Sequence, residues 1–252
     1  MSTLLTNYSV KTNSQFGEDG IIREVLTRIG KLTDGYAIEV GAADGRECSN
    51  TLKLRDLWGW RRLLIEGDEE RFDRIEEHAS DEAVLGFIEP EGPFSIDSLA
   101  KGAGVTFLSL DIDGMEYYIL DKLQMRPELI VAEFNPTIPL HIGVSSPGLG
   151  ASLSALIALM EERKSYLFIG ATHCNAFFVP VEYSEQFDDI VKDPTEYVDG
   201  SSYTYLVSTM YGSVMAFGPK IWGINRAENL PIHLVEPTGE VRTVNVSKRV
   251  LP

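Results

Sequence analysis

The chain has 252 residues, 44% of them hydrophobic, and a formal charge of −16. That length and apolar content can bury one large core, so a single α/β domain with an appendage is expected rather than two equal domains. The excess of carboxylates disfavours nucleic acid and anionic membrane surfaces as partners.

Read in order, Asn13 or Ser14 caps a first helix, in which Ile22, Val25, Leu26 and Ile29 fall at helical spacing and Gly30 supplies the stop. A strand follows over 36–41, then a helix from about Ser49 to Trp58 with Leu54, Leu57 and Trp58 on one face. Arg62–Glu66 is the second strand, and Arg61 and Arg62 are read as solvated residues flanking it. The next helix starts near Asp68 and turns Phe72, Ile75 and Ala79 inward. A weaker strand, Ala83–Ile88, ends before Glu89-Pro-Glu-Gly-Pro93. Val105–Leu110 is the clearest strand and runs into Asp111-Ile-Asp-Gly114. A short helix from Met115 to about Leu123 precedes Pro127, and a fifth strand, Leu129–Ala132, ends in Glu133-Phe-Asn-Pro136. After a Pro, Gly and Ser-rich loop (136–150), Ser152 caps a helix carrying Leu153, Leu156, Ile157 and Met160. Tyr166–Gly170 and Ala176–Val179 read as a closing antiparallel pair.

Strands alternating with helices predict an α/β fold, a seven-stranded, mostly parallel sheet with helices on both faces. The domain is expected over residues 1–180. Residues 181–252, with strands near Tyr203–Val207 and Val214–Phe217, are read as an appendage serving as a substrate cap or a dimer surface. No apolar run is long enough to span a bilayer. The start, Met1-Ser-Thr-Leu-Leu-Thr-Asn7, lacks the pattern of a signal peptide. Two cysteines, Cys48 and Cys174, form no CxxC pair and suit a reducing cytoplasm; both are read as buried small hydrophobes.

The acids at the strand ends carry the functional signal. Tyr36-Ala-Ile-Glu-Val-Gly-Ala-Ala-Asp-Gly45 is a strand running into a turn of small residues, and Ala43 stands where a dinucleotide fingerprint needs its second glycine. That departure counts against NAD and its pyrophosphate, whereas Glu39 and Asp44 suit a cationic ligand such as S-adenosylmethionine. Glu66, 25 residues after Gly41 and ending the second strand, is placed to accept ribose hydroxyls. Asp111, Asp113, Glu133 and Asn135 end two neighbouring strands. They are read as hard oxygen ligands for Mg²⁺ or another divalent cation, as a general base with a raised pKa, or, for Asp113 with Glu116, as a helix cap. His141 is a further candidate ligand or base close to these acids. His173 is placed in the hairpin turn, and His78 and His233 on the surface. No Gly-x-Ser-x-Gly elbow, Walker A motif or HExxH is present.

Several segments resemble the FkbM-type methyltransferases. They are Ser14-Gln-Phe-Gly-Glu-Asp-Gly20, Glu39-Val-Gly-Ala-Ala-Asp-Gly45, Ser49-Asn-Thr51, Gly59-Trp60 and Leu64-Ile-Glu-Gly-Asp68. Leu108-Ser-Leu-Asp-Ile-Asp-Gly-Met-Glu-Tyr117, Ile130-Val-Ala-Glu-Phe-Asn-Pro136 and Ala151-Ser-Leu-Ser-Ala155 join them, so the similarity spans about residues 12–180. The resemblance implies a class I methyltransferase fold, S-adenosylmethionine as cofactor and O-methylation of a sugar or polyketide-like hydroxyl. It puts Glu39, Gly41, Ala42 and Asp44 around the methionine portion, Glu66 and Gly67 at the ribose, and Ile88 and Glu89 at the adenine. Gln15, Asp19, Thr51 and Asp111 complete the implied cofactor residues. Metal-dependent O-methyltransferases of similar fold imply Asp111, Glu133 and Asn135 as ligands; without metal, Asp113, Glu133 and His141 are the catalytic candidates.

A small-molecule or glycan acceptor and a homodimer are the expected partners. The competing readings are an NAD(P)-dependent Rossmann enzyme and a catalytically inactive, methyltransferase-like binding module.

Overall fold

The apolar run Tyr36–Val40 becomes β1, buried at every position. On one side it pairs in parallel with β2 (Arg61–Glu66), which pairs with β3 (Glu82–Leu85); on the other it pairs with β4 (Phe107–Leu110), which pairs with β5 (Leu129–Glu133). The hairpin of β6 (Tyr166–Ala171) and β7 (Asn175–Pro180) closes the sheet, with β7 antiparallel to β5. The strand order is therefore 3-2-1-4-5-7-6 with β7 alone reversed. This is the class I methyltransferase fold. The computed structural model describes residues 2–76, 82–203, 205–208, 214–217, 229–235 and 241–247. Ala79 and His78 lie outside them, as does the side chain of His233.

Period-two alternation splits the strands between two cores. Ala37, Phe107, Leu129 and Val179 face Ile21, Ile22, Val25 and Leu26 of α1 (Glu18–Arg28). Ile38, Leu108, Ile130 and Phe178 face the other side, with Ile119 and Leu120 of α5 (Glu116–Lys122) and Leu153 and Leu156 of α6 (Leu153–Ala158). Each large apolar side chain so buried contributes about 1.5–3 kcal/mol relative to exposure. The remaining helices are α2 (Leu52–Trp58), α3 (Glu69–Glu76) and α4 (Ile96–Leu99). The last is capped by Ser95 and was missed because four residues show no period.

Several local expectations shift. The residue adjoining α1 is Gly17, at φ +93°, rather than Asn13 or Ser14. Ser14 nevertheless serves that helix end, because its Oγ accepts the Asp19 N–H from five residues back. Ser152 caps α6 as expected by accepting from Ala155 N. Arg62 is 2% exposed, not solvated, while Cys48 is exposed and only Cys174 is buried.

By contacts, the chain forms two units, Met1–Pro136 with Leu140–Val198, and Thr137–Pro139 with Asp199–Pro252. Residues 181–198, expected in the appendage, pack on the sheet unit: Phe187 and Ile190 join the α1 core, and Ile190 bridges Thr3. The second unit holds two antiparallel pairs, β8 (Tyr205–Ser208) with β9 (Val214–Phe217) and β10 (Asn229–Val235) with β11 (Val241–Ser247). Among the described residues no helix is long and apolar enough to cross a membrane.

One contact fixes the centre of the sheet's carboxyl edge. A Cβ at Gly41, whose φ is +79°, would stand 1.7 Å from the carbonyl oxygen of Asp111. Gly41→Ala should therefore cost at least about 3 kcal/mol, combining backbone strain with overpacking against a rigid carbonyl. Thermal unfolding measures it, and a loss below about 1 kcal/mol would show that the two strand ends can separate freely.

Candidate active site

In the order 3-2-1-4-5 the connections diverge between β1 and β4, and ligands of open α/β sheets bind beyond the carboxyl ends at such a point. Gly41 and Asp111 flank it. The turn after β1 spends its amides internally. Gly41 N and Ala42 N both donate to Ile65 O, at 2.9 and 3.1 Å, and Ala43 N donates to Glu66 Oε2 at 2.7 Å. Arg46 N and Glu47 N donate to Asp44 Oδ1. Burial alone would raise the Asp44 carboxyl, but these amides hold it below its ordinary range. Amides so committed form no cradle for a pyrophosphate, which agrees with the missing glycine at position 43.

Glu39 is 5% exposed, and its carboxylate accepts from Ser49 Oγ, Asn50 N and Thr51 Oγ1. Burial pushes its pKa up, against those three hydrogen bonds and the nearby Arg62. Thr51 is fully buried, giving its proton to Glu39 and accepting from Arg62 Nη1. Glu39 and Thr51 therefore hold the 49–51 segment in place, while Glu39 Oε1, which accepts from Asn50 N, keeps a second lone pair. The strand-end pattern located Glu39 but did not reveal its partners ten or more residues on.

Glu66 is held by its immediate surroundings. It ends β2, is buried, and is pinned by Ala43 N on Oε2 and Asp68 N on Oε1 at 2.7 and 2.8 Å. Each oxygen keeps a second lone pair, so the carboxylate can still accept from a diol. Beside it Gly67 lies under the ring of Phe87, which a Cβ there would meet at 2.5 Å. Phe87 is 79% exposed, an aromatic face beside Glu66 that the sequence did not single out. Ile88 turns into the core and Glu89 is exposed.

The N-terminal segment reaches the same edge. Ser14 bridges Cys48, and Phe16 sets its ring 5.1 Å from that of His173 in the β6–β7 turn, with half-buried Gln15 between them. Asp19 Oδ2 gathers the amides of Thr12, Asn13 and Ser14 and the Ser14 hydroxyl, at 2.8–2.9 Å, and so shapes this segment.

Three carboxyl groups converge beyond β4 and β5. Ligand oxygens of Asp111, Asp113 and Glu133 all lie within 4.8 Å of one another. Asp111 and Glu133 act directly on each other, and two buried carboxyls so close favour holding a proton between them. Burial is the main cause of both shifts. It raises Asp111 to about 6, and it raises Glu133 further, helped by the charges of Asp111 and Glu116. Glu116 folds back to accept from Ile112 N and Gly114 N. Met115, not Asp113, adjoins α5, and Asp113 stands free of the helix at φ +57°. The capping reading of Asp113 is thus replaced by membership of the acid group. Asn135 follows β5, and its Nδ2 donates to Leu149 O at 2.8 Å. His141 is exposed in the following loop and does not join the three acids.

No protein-family model matches the sequence, and a search of curated proteins finds no match. Among solved structures, the chain is similar to a methyltransferase from Aquifex aeolicus described as dependent on S-adenosylmethionine, at 13% identity and TM-score 0.40, covering 65% of this chain and 88% of that one. A protein provisionally named a caffeoyl-CoA O-methyltransferase, from Staphylococcus aureus, matches at 11% identity and TM-score 0.47, over 69% of this chain and 87% of that one. One provisionally named a sarcosine dimethylglycine methyltransferase, from Galdieria sulphuraria, matches at 13% and 0.41, over 57% of this chain and 58% of that one. This chain thus spans under two thirds of the Galdieria protein.

The shared proton has a consequence for stability. Both carboxyls have pKa values raised in the folded state, so their contribution is complete below the ordinary carboxylate range near 4 and is lost as pH rises through about 6 and above. In EDTA, unfolding free energy should fall by on the order of 2 kcal/mol across that window. Glu133→Gln, which keeps the shape and removes the ionisation, should flatten the fall. A wild-type stability that rises from pH 5 to 8 would contradict the shared proton.

Proposed function

We propose that this chain is an S-adenosylmethionine-dependent O-methyltransferase of the FkbM type, acting on a hydroxyl of a sugar or polyketide-like molecule. The observation that carries the proposal is the pairing at one sheet edge of a pinned carboxylate, Glu66, with an acid group at the β1–β4 divergence. The donor set fits this cofactor. A nucleoside diol is served by the spare lone pairs of Glu66, an ammonium and a sulfonium by nearby carboxylates, and the internally bonded turn suits a ligand without phosphate. When bound, S-adenosylmethionine supplies an electrophilic methyl group.

The chain's residues then position and deprotonate. Asp111, ionised beside protonated Glu133, is the group to accept a hydroxyl proton, and a pKa near 6 keeps it in the basic form at neutral pH. Holding the hydroxyl in line for attack contributes as much as the proton transfer itself. A second reading has its own support, since oxygens of Asp111, Asp113 and Glu133 lie close enough to share one hard cation. Mg²⁺ held there would lower the hydroxyl pKa. This set adds Asp113 to the Asp111 and Glu133 of the sequence-based one.

Calorimetric titration with S-adenosylmethionine tests the proposal, run with Mg²⁺ and with EDTA. Micromolar binding is expected. Glu66→Ala should weaken it at least about tenfold, the loss of a charge-assisted pair of hydrogen bonds. Glu133→Gln should leave affinity within about threefold while slowing turnover on the order of a hundredfold. Absence of binding under either condition would remove the methyltransferase reading, and full activity in EDTA would remove the metal.

A further inference from the structure

The strand-end row does not stop at the acids. Gly41, Asp111 and Glu133 follow one another across β1, β4 and β5. Asn175 of β7 is the direct register partner of Glu133, so the two side chains leave the same face. Asn175 is 3% exposed. Its Nδ2 donates to Glu18 Oε1 at 3.1 Å, while its Oδ1 is buried with no hydrogen-bond partner among the described residues.

Glu18 is fully buried in the first turn of α1 and accepts from Thr172 Oγ1 and Phe16 N, each at 2.7 Å. Its charge acts on Asp111, as does that of Asp113. The amide thus lies between two members of one acidic surround, Glu18 and Glu133. An orphaned buried carbonyl oxygen costs about 1–3 kcal/mol. What is lacking is a donor for the Asn175 oxygen, and the charges acting on Asp111 are those of other carboxylates. An ammonium supplies three N–H groups and a charge together. A carboxylate or phosphate would add like charge and leave the Asn175 oxygen unsatisfied.

We propose that the acceptor carries a protonated amine, seated among Glu18, Asp111, Glu133 and Asn175. This rests on the methyl-transfer reading of the same site and narrows its acceptor to amine-bearing hydroxyl compounds, of which a 2-amino sugar is the simplest probe. Phosphorylated and uronic acceptors are excluded by the same charges.

Four matched probes decide it: glucosamine, glucose, N-acetylglucosamine and glucuronate, titrated by saturation-transfer NMR in EDTA near neutral pH. Glucosamine should bind at least about tenfold more tightly than glucose. Acetylation of its amine should abolish the advantage, and glucuronate should bind most weakly. Asn175→Leu should narrow the preference. Asp113→Asn, an exposed change that spares the fold, should narrow it by about threefold through charge alone. Glucose matching glucosamine, glucuronate binding tightest, or silence from all four probes would overturn the inference. The two proposals can fail separately. A chain that binds S-adenosylmethionine but shows no amine preference keeps the first and loses the second; one that prefers glucosamine without binding S-adenosylmethionine keeps an amine site but loses its role as a methyl-acceptor site.

Discussion

Burial of the Glu39 carboxylate in the middle of the sheet is the constraint on which the rest of this edge depends. An ion taken out of water in this way carries a penalty of several kcal/mol unless it is hydrogen-bonded and faces an opposite charge. Ser49, Asn50 and Thr51 supply the hydrogen bonds and Arg62 the charge. To do so the chain must turn sharply after β1 and return along it, which commits the turn's amides to Ile65, Glu66 and Asp44. Gly41 can then approach the Asp111 carbonyl, because nothing larger than hydrogen separates them. The divergence point of the sheet is shaped by this one buried ion.

Around that point charge is concentrated where solvent is scarce. Glu18, Asp111, Glu116 and Glu133 are buried or half-buried within one another's fields, and no two of the closest pair can ionise cheaply. A shared proton, a bound cation or a cationic ligand each relieves the same repulsion, which is why the site's chemistry and its stability are linked. Such an arrangement is costly for folding alone and is characteristic of sites that handle protons or cations.

The α1 segment joins the two halves of this description. Its apolar stripe packs on one sheet face, while its first turn sends Glu18 to Thr172 and Asn175 and Asp19 to the 12–14 backbone. The helix therefore supports the core and closes the polar edge at once. Ser14, Phe16 and Asp19 sit in a motif whose positions matter through these contacts rather than through an exposed functional group.

The sequence by itself determined the strands, their alternation with helices, the antiparallel closing hairpin and the acids at the strand ends, because those features repeat with a local period or stop at Gly, Asp and Glu. It located Glu66, Asp111, Asp113 and Glu133 for the same reason. Which partners each acid takes was decided only by tertiary structure. Glu39 and Glu66 lie near the ends of neighbouring strands and are equally buried, yet one takes its hydrogen bonds from a segment ten or more residues on and the other from the adjacent turn and Asp68. Asp113, at a left-handed backbone position, brings a carboxyl oxygen within 4.8 Å of those of Asp111 and Glu133, an approach that strand patterning does not encode. Phe87, Glu18 and Asn175 carried no local signal, since their significance comes from neighbours distant in the chain. Hydrogen-bond partners and burial are long-range quantities, and a linear pattern of residue types does not contain them.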